Sequence, residues 1–148
     1  MGGMTETIEL PDGATLEYLT PLEDGAPCLM RGTIPPAGVV PLHSHADPET
    51  FIVVEGEALA FSDDEWELVE AGDVHHIPGQ VRHAWRNHTT RPAVMYVVST
   101  ATMARFFREV AGAGPDRFLA ISARYGYWNA TPEGNAAIGL TVPAPARP

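Results

Sequence analysis

Four side chains in this sequence have the types and spacing to hold a transition metal: His43, His45, Glu49 and His83. His43 and His45 are separated by one residue, and on a β-strand residues two apart project from the same face, so both imidazoles can reach one point in space. Glu49 lies beyond them and shares that face if the strand continues or restarts after Pro48. His83 falls on another candidate strand among apolar neighbours. Three neutral imidazoles and one carboxylate suit one divalent transition metal ion of the borderline group (manganese, iron, cobalt, nickel, copper or zinc), whereas all-oxygen sites suit magnesium or calcium. Ligand type narrows the ion to that group and no further. Against this stands the ordinary reading, in which a histidine is a surface residue or a hydrogen-bonded core group.

A cluster of this kind needs strands to aim it. From about residue 6 to residue 100, short segments rich in Val, Ile, Phe and Thr alternate with Gly, Pro or Asp clusters, the pattern of an all-β sandwich or barrel. Candidate strands are 15–20, 28–34, 39–45, 49–55, 57–62, 66–70, 73–77, 82–88 and 93–99. Pro35-Pro36-Ala37-Gly38 interrupts any central strand because proline offers no ladder donor, and Glu55-Gly56-Glu57 reads as a tight hairpin. Ala71-Gly72-Asp73 and Pro78-Gly79-Gln80 mark two further turns. After Ser99 the period changes. Thr102 is a candidate cap for a helix carrying Met103, Phe106, Phe107 and Val110, and Asp116 to Tyr127 reads as a second, with Pro115 near its start. Both are expected to pack against the outside of the sheet. The last twenty residues, with four prolines and little periodicity, read as an extended arm.

The 148 residues, 45% of them hydrophobic, suffice for one core, so the chain reads as a single domain with a barrel over about 6–100 and helices and tail over 101–148. No run approaches the ~18 apolar residues of a membrane span, and MGGMTETIEL lacks a basic-then-apolar leader, which points to a cytoplasmic protein. The single cysteine, Cys28, allows neither an internal disulfide nor a thiolate zinc cluster. A net charge of −10 with no basic stripe repels phosphate backbones and anionic lipid, so a small molecule is expected as partner rather than nucleic acid or membrane.

The segments around the four residues carry a resemblance. GVVPLHSHADPETFIVVEG, from Gly38 to Gly56, resembles the first motif of the cupin family, and GDVHHIPGQVRHAWRN, from Gly72 to Asn87, resembles the second, with Gly72, Pro78, His83 and Asn87 at the family's intervals. The likeness spans about residues 28–99. Two positions depart from the pattern: the gap between Gly38 and His43 is one residue short, and Gln80 stands where the motif has glycine, with Gly79 one place early. The resemblance implies a double-stranded β-helix, or jelly-roll barrel, often dimeric, with one metal ion held by His43, His45, Glu49 and His83 in a cavity between two sheets.

Alternation then says which neighbours face that cavity: Trp85 and Asn87 with His83, and Phe51 and Val53 with Glu49. The expected substrate pocket comprises Phe51, Val53 and Trp85, with Gln80 at its mouth; the plain alternative makes the first three barrel core and Gln80 a turn residue. His75 and His76 are adjacent, so at most one looks inward, and a structural role is favoured over a proton shuttle for either. His88 is expected at the surface.

Four protein ligands leave one or two positions open on a metal that prefers five or six, which is what separates a working centre from a structural one. Glu49 is the ligand that could also take a proton. Likeness to quercetinase-type cupins implies a metal-dependent dioxygenase acting on an enol or phenol. The alternatives are a cupin polyketide cyclase that uses the metal as Lewis acid, and a non-catalytic small-ligand binder.

Overall fold

The structure, a computed structural model, describes residues 5–142. Its strands are β1 (Thr7–Glu9), β2 (Thr15–Tyr18), β3 (Pro27–Ile34), β4 (Val39–Ser44), β5 (Glu49–Glu55), β6 (Glu57–Ser62), β7 (Glu65–Glu70), β8 (Val74–Ile77), β9 (His83–Arg86), β10 (Ala93–Thr100) and β11 (Trp128–Asn129). Helices α1 (Ala101–Val110) and α2 (Pro115–Tyr125) precede β11, and α3 (Pro132–Ala137) follows it. Among the described residues no helix is long and apolar enough to cross a membrane.

Period-two patterning builds the strands. Along β10, Ala93, Met95, Val97 and Ser99 are buried while the residues between them are half-buried, and β3 alternates in the same way. The strands form two antiparallel sheets, one in the order β1-β2-β3-β10-β5-β8 and one in the order β11-β4-β9-β6-β7. β10 sits between β3 and β5, and β9 between β4 and β6, so neighbours in space are distant in sequence, as a jelly roll requires. Inner faces of both sheets meet in one core: Met30, Phe51, Val53 and Met95 from the first, Ala60, Val69 and Trp85 from the second.

Two loops are fixed by particular residues. Gly56, between β5 and β6, has φ +73°, and a Cβ there would lie 2.4 Å from the carbonyl oxygen of Pro92, so both conformation and close approach demand glycine. Asn87, fully buried, donates from Nδ2 to the carbonyls of Ile34 (3.0 Å) and Arg91 (2.7 Å) and accepts at Oδ1 from the backbone N–H and hydroxyl of Thr89 (2.9 and 2.8 Å). It clamps the turn after β9 and does not face a cavity. Asn87→Ala strands several of these groups and is expected to cost about 2–3 kcal/mol in urea unfolding.

Two expectations for the C-terminal part are corrected. The cap of α1 is Thr100, not Thr102, because β10 runs directly into the helix; the Thr100 hydroxyl accepts from the Met103 N–H at 3.0 Å. The extended arm is not found within the described residues. β11 pairs with β4, Asn135 Oδ1 accepts from the Leu42 N–H (2.8 Å), and Trp66 Nε1 donates to the Ile138 carbonyl (2.9 Å). A strand of 2 residues and a helix of 6 are too short to leave a periodic signal. The rest of the expected arm, 143–148, lies outside the described residues.

Candidate metal centre

A register shift in β4 aims the histidines. Val40 pairs with Trp85 and His43 with His83, so β4 takes three steps where β9 takes two, and the extra residue falls at Pro41-Leu42. Without it Leu42 would share Val40's inner face and His43 would point outward. With it Leu42 packs outside against Phe61, Ala84 and Leu140, while His43, directly across from His83, turns inward. His45 follows at the end of the strand, and Glu49, the first residue of β5, approaches from the opposite sheet. One ligand atom from each of His43, His45, Glu49 and His83 lies within 4.8 Å of every other.

Each ring is oriented by a carbonyl two residues away. Nδ1 of His43 lies 2.7 Å from the Pro41 oxygen, that of His45 2.8 Å from the Asp47 oxygen, and that of His83 2.8 Å from the Val81 oxygen. A carbonyl only accepts, so each Nδ1 carries the proton and each neutral ring presents an unprotonated Nε2. Two of those nitrogens face the Glu49 carboxylate, at 2.8 Å from His45 and 3.2 Å from His83, and His45 Nε2 is buried with no hydrogen bond of acceptable angle. Lone pairs confronting a buried carboxylate repel unless a cation lies among them, either a proton or a metal ion. The donor set, its tautomers and the orphaned nitrogen fit a divalent transition metal.

Electrostatics within the cluster point the same way. Burial holds His43 down at about 3, helped by the neighbouring His83 and His45, so it is neutral at any ordinary pH. Burial alone would raise Glu49, but when a proton lies between its carboxylate and the facing His45 and His83 that attraction outweighs burial and holds the carboxyl well below its usual range. For His45 burial pulls down and the Glu49 carboxylate more than compensates, leaving it raised.

The cluster opens on a cavity of about 720 Å³. Phe51 and Trp85 line it, their rings 5.1 Å apart edge to face. Val53 points inward as alternation requires but is wholly buried in the core and does not line the cavity. Gln80 lies elsewhere, beside a separate hollow with Arg82 and Trp128. It adopts φ +67° while its N–H donates to the His45 carbonyl at 2.7 Å, so the position where the motif carries glycine keeps the left-handed conformation with a side chain on it. Gln80→Gly is therefore expected to stabilise the protein by about 0.5–1 kcal/mol, read as a raised denaturation midpoint.

The remaining histidines stay outside the cluster. His75 is buried against Ser62, with Nε2 3.3 Å from the hydroxyl, and burial lowers it; His76 faces outward beside the Thr50 hydroxyl (2.8 Å), and His88 lies 3.4 Å from a Glu57 carboxylate oxygen. Other walls went unnamed in the sequence reading: Met95 and Val97 of β10, Met103 and Phe106 of α1, and Tyr127 before β11. β10 alternation could have supplied the first two. The helices do not simply pack on the outside of the sheet; α1 and α2 form a small core of their own at Met103, Phe106, Val110 and Ile121 and wall the cavity. Helical periodicity shows which face is apolar but not what that face covers.

Architecture and site together define a jelly-roll barrel with three histidines and a glutamate gathered between its sheets. Residues 30–99, just under half of the chain, match the cupin domain family, and the fold is that of a cupin barrel. Its fold is similar to a cupin-2 domain from Rhodospirillum rubrum (16% identity, TM-score 0.61, covering 66% of this chain and 70% of that one). It is likewise similar to the polyketide cyclase RemF from Streptomyces resistomycificus (23%, 0.57, 66% and 74%) and to a DMSP lyase structure (21%, 0.53, 59% and 47%). The chain spans about half the length of the last. No curated protein matches the chain.

Proposed function

We propose that this cupin is a metal-dependent enzyme acting on a small, uncharged, apolar or aromatic substrate, and that the reaction is dioxygenation of an enol or phenol. The observation that carries the reading is the composition of the cavity. It opens on the four-residue cluster and is walled by Phe51, Trp85, Met95, Val97 and Phe106, and among the described residues that line it none is Lys or Arg. A site for oxalate-like dianions or sugar phosphates would need such a cation beyond the metal. A ring of aromatic and aliphatic side chains instead favours a flat apolar molecule presenting one or two oxygens to the centre.

Glu49 is the one carboxylate of the cluster. The facing His45 and His83 hold its carboxyl well below the usual range despite burial, so it is ionised at neutral pH but is a weak base. As the one carboxylate of the cluster it can take the proton of an enol or phenol hydroxyl. His43, His45 and His83 with Glu49 would hold the ion, which would supply Lewis acidity and, if redox-active, a path for electrons to dioxygen. Phe51 and Trp85 position the ring and exclude water. In dioxygenation both atoms of O₂ enter the product, so no external reductant is needed.

Cyclisation of a polyketide is the second reading, favoured by the fold likeness to RemF over 74% of that chain. An oxygen electrode run alongside mass spectrometry of the product separates the two. Dioxygenation consumes one O₂ per turnover and adds both atoms; cyclisation proceeds without oxygen and does not. Tight binding with no turnover of any enol, phenol or polyketide substrate would contradict the enzymatic reading.

A further inference from the structure

The loop between β4 and β5 contains an acid that no ligand role explains. Asp47 presents its backbone carbonyl to His45 Nδ1 at 2.8 Å, and its carboxylate accepts two hydroxyls: Thr100 at 2.5 Å on one oxygen and Tyr127 at 2.6 Å on the other. Thr100 also caps α1, and the Tyr127 ring lies 5.3 Å from the His45 ring and 4.7 Å from that of Phe106. Both hydroxyls belong to the segment that walls the cavity, Thr100 where it begins and Tyr127 after α2.

We propose that Asp47 is a positioning residue for the ligand His45, and that Thr100 and Tyr127 fix it so that the packing of α1 and α2 over the cavity sets the geometry of the metal centre. The inference rests on the metal reading of the four-residue cluster. A carboxylate held by two hydroxyls leaves the peptide that bears it little freedom, and the carbonyl of that same residue orients the His45 ring. Freeing Asp47 allows His45 to rotate about its side-chain torsions, so Nε2 samples positions away from the other three ligand atoms. A salt bridge or metal contact by Asp47 itself is not required, and its carboxylate is directed to the helices.

Cobalt(II) titration tests this through its visible absorption bands, with affinity taken from competition with a chelator. Tyr127→Phe, which removes one oxygen atom, is expected to weaken cobalt binding about 10-fold and to alter the bands, and Asp47→Ala to weaken it toward about 100-fold. Thr100→Ser keeps the hydroxyl and is expected to match the parent protein. Trp66→Phe removes the indole bond to the Ile138 carbonyl, which involves none of Asp47, Thr100 and Tyr127, and is expected to lower stability while leaving affinity and spectrum unchanged. Unaltered cobalt affinity and spectrum in both Tyr127→Phe and Asp47→Ala would overturn the positioning role alone. Failure of the parent protein to bind cobalt would overturn the metal reading and this inference with it.

Discussion

Glu49→Gln is expected to abolish turnover and to weaken divalent metal binding by at least roughly 100-fold, because removing one partner from a buried charge cluster costs about 3–5 kcal/mol. Glu49 is the cluster's negative charge and only 3% exposed, with His45 and His83 at 2.8 and 3.2 Å. Glutamine keeps the size and one accepting oxygen but cancels no metal charge and takes no proton. Because the substitution is isosteric, the far-UV circular dichroism of the variant should match the parent, which separates a lost ligand from a lost fold. Retained affinity in Glu49→Gln would mean that the carboxylate is not a ligand and that the histidines alone hold any ion.

Metal should also act as a stabiliser whose effect depends on pH in a particular direction. At a free concentration about 1,000 times the dissociation constant, an ion that binds only the folded state adds about 4 kcal/mol, so chelation should lower the melting temperature by several degrees. His45 is raised above its ordinary value by Glu49, so below that raised value the metal must displace a proton. Affinity should then fall tenfold, or about 1.4 kcal/mol, for each pH unit, and be flat above it. His43, held at about 3, and the depressed Glu49 do not compete with metal in the neutral range.

In the metal-free protein the same groups act oppositely. Raised His45 contributes stability present below its ordinary pKa and lost as pH rises through its folded value. His43, depressed, is protonated in the unfolded chain below about 6.5 but refuses the proton when folded until about 3, so its contribution is lost as pH falls through that window. Equal stabilisation by metal at pH 5 and pH 8 would contradict the proton competition assigned to His45.

Much of this site was legible before the structure, and the reasons differ residue by residue. His43 and His45 announce themselves by a spacing of two, and strands 57–62 and 49–55 are bounded by Gly56, which the turn requires for φ and for its approach to Pro92. The bulge at Pro41-Leu42 was not legible; that it turns His43 inward and Leu42 outward follows from pairing with β9, which no local signal encodes. Val53 and Phe51 look identical to an alternation argument, yet one is sealed in the core and the other lines the cavity, a difference set by depth in the barrel. Asp47 and Tyr127 lie eighty positions apart and carry no motif, so their hydrogen bond emerges only when α1 and α2 fold back over the barrel.

If His43, His45, Glu49 and His83 hold one transition metal ion, metal analysis of protein purified without added metal or chelator detects it. Beside it stands a His43→Ala, His83→Ala double variant that removes the two rings facing each other across β4 and β9. About one equivalent of manganese, iron, cobalt, nickel, copper or zinc in the parent and none in the variant is the expected result. No bound metal in the parent after supplementation, or an equal content in the variant, would contradict it.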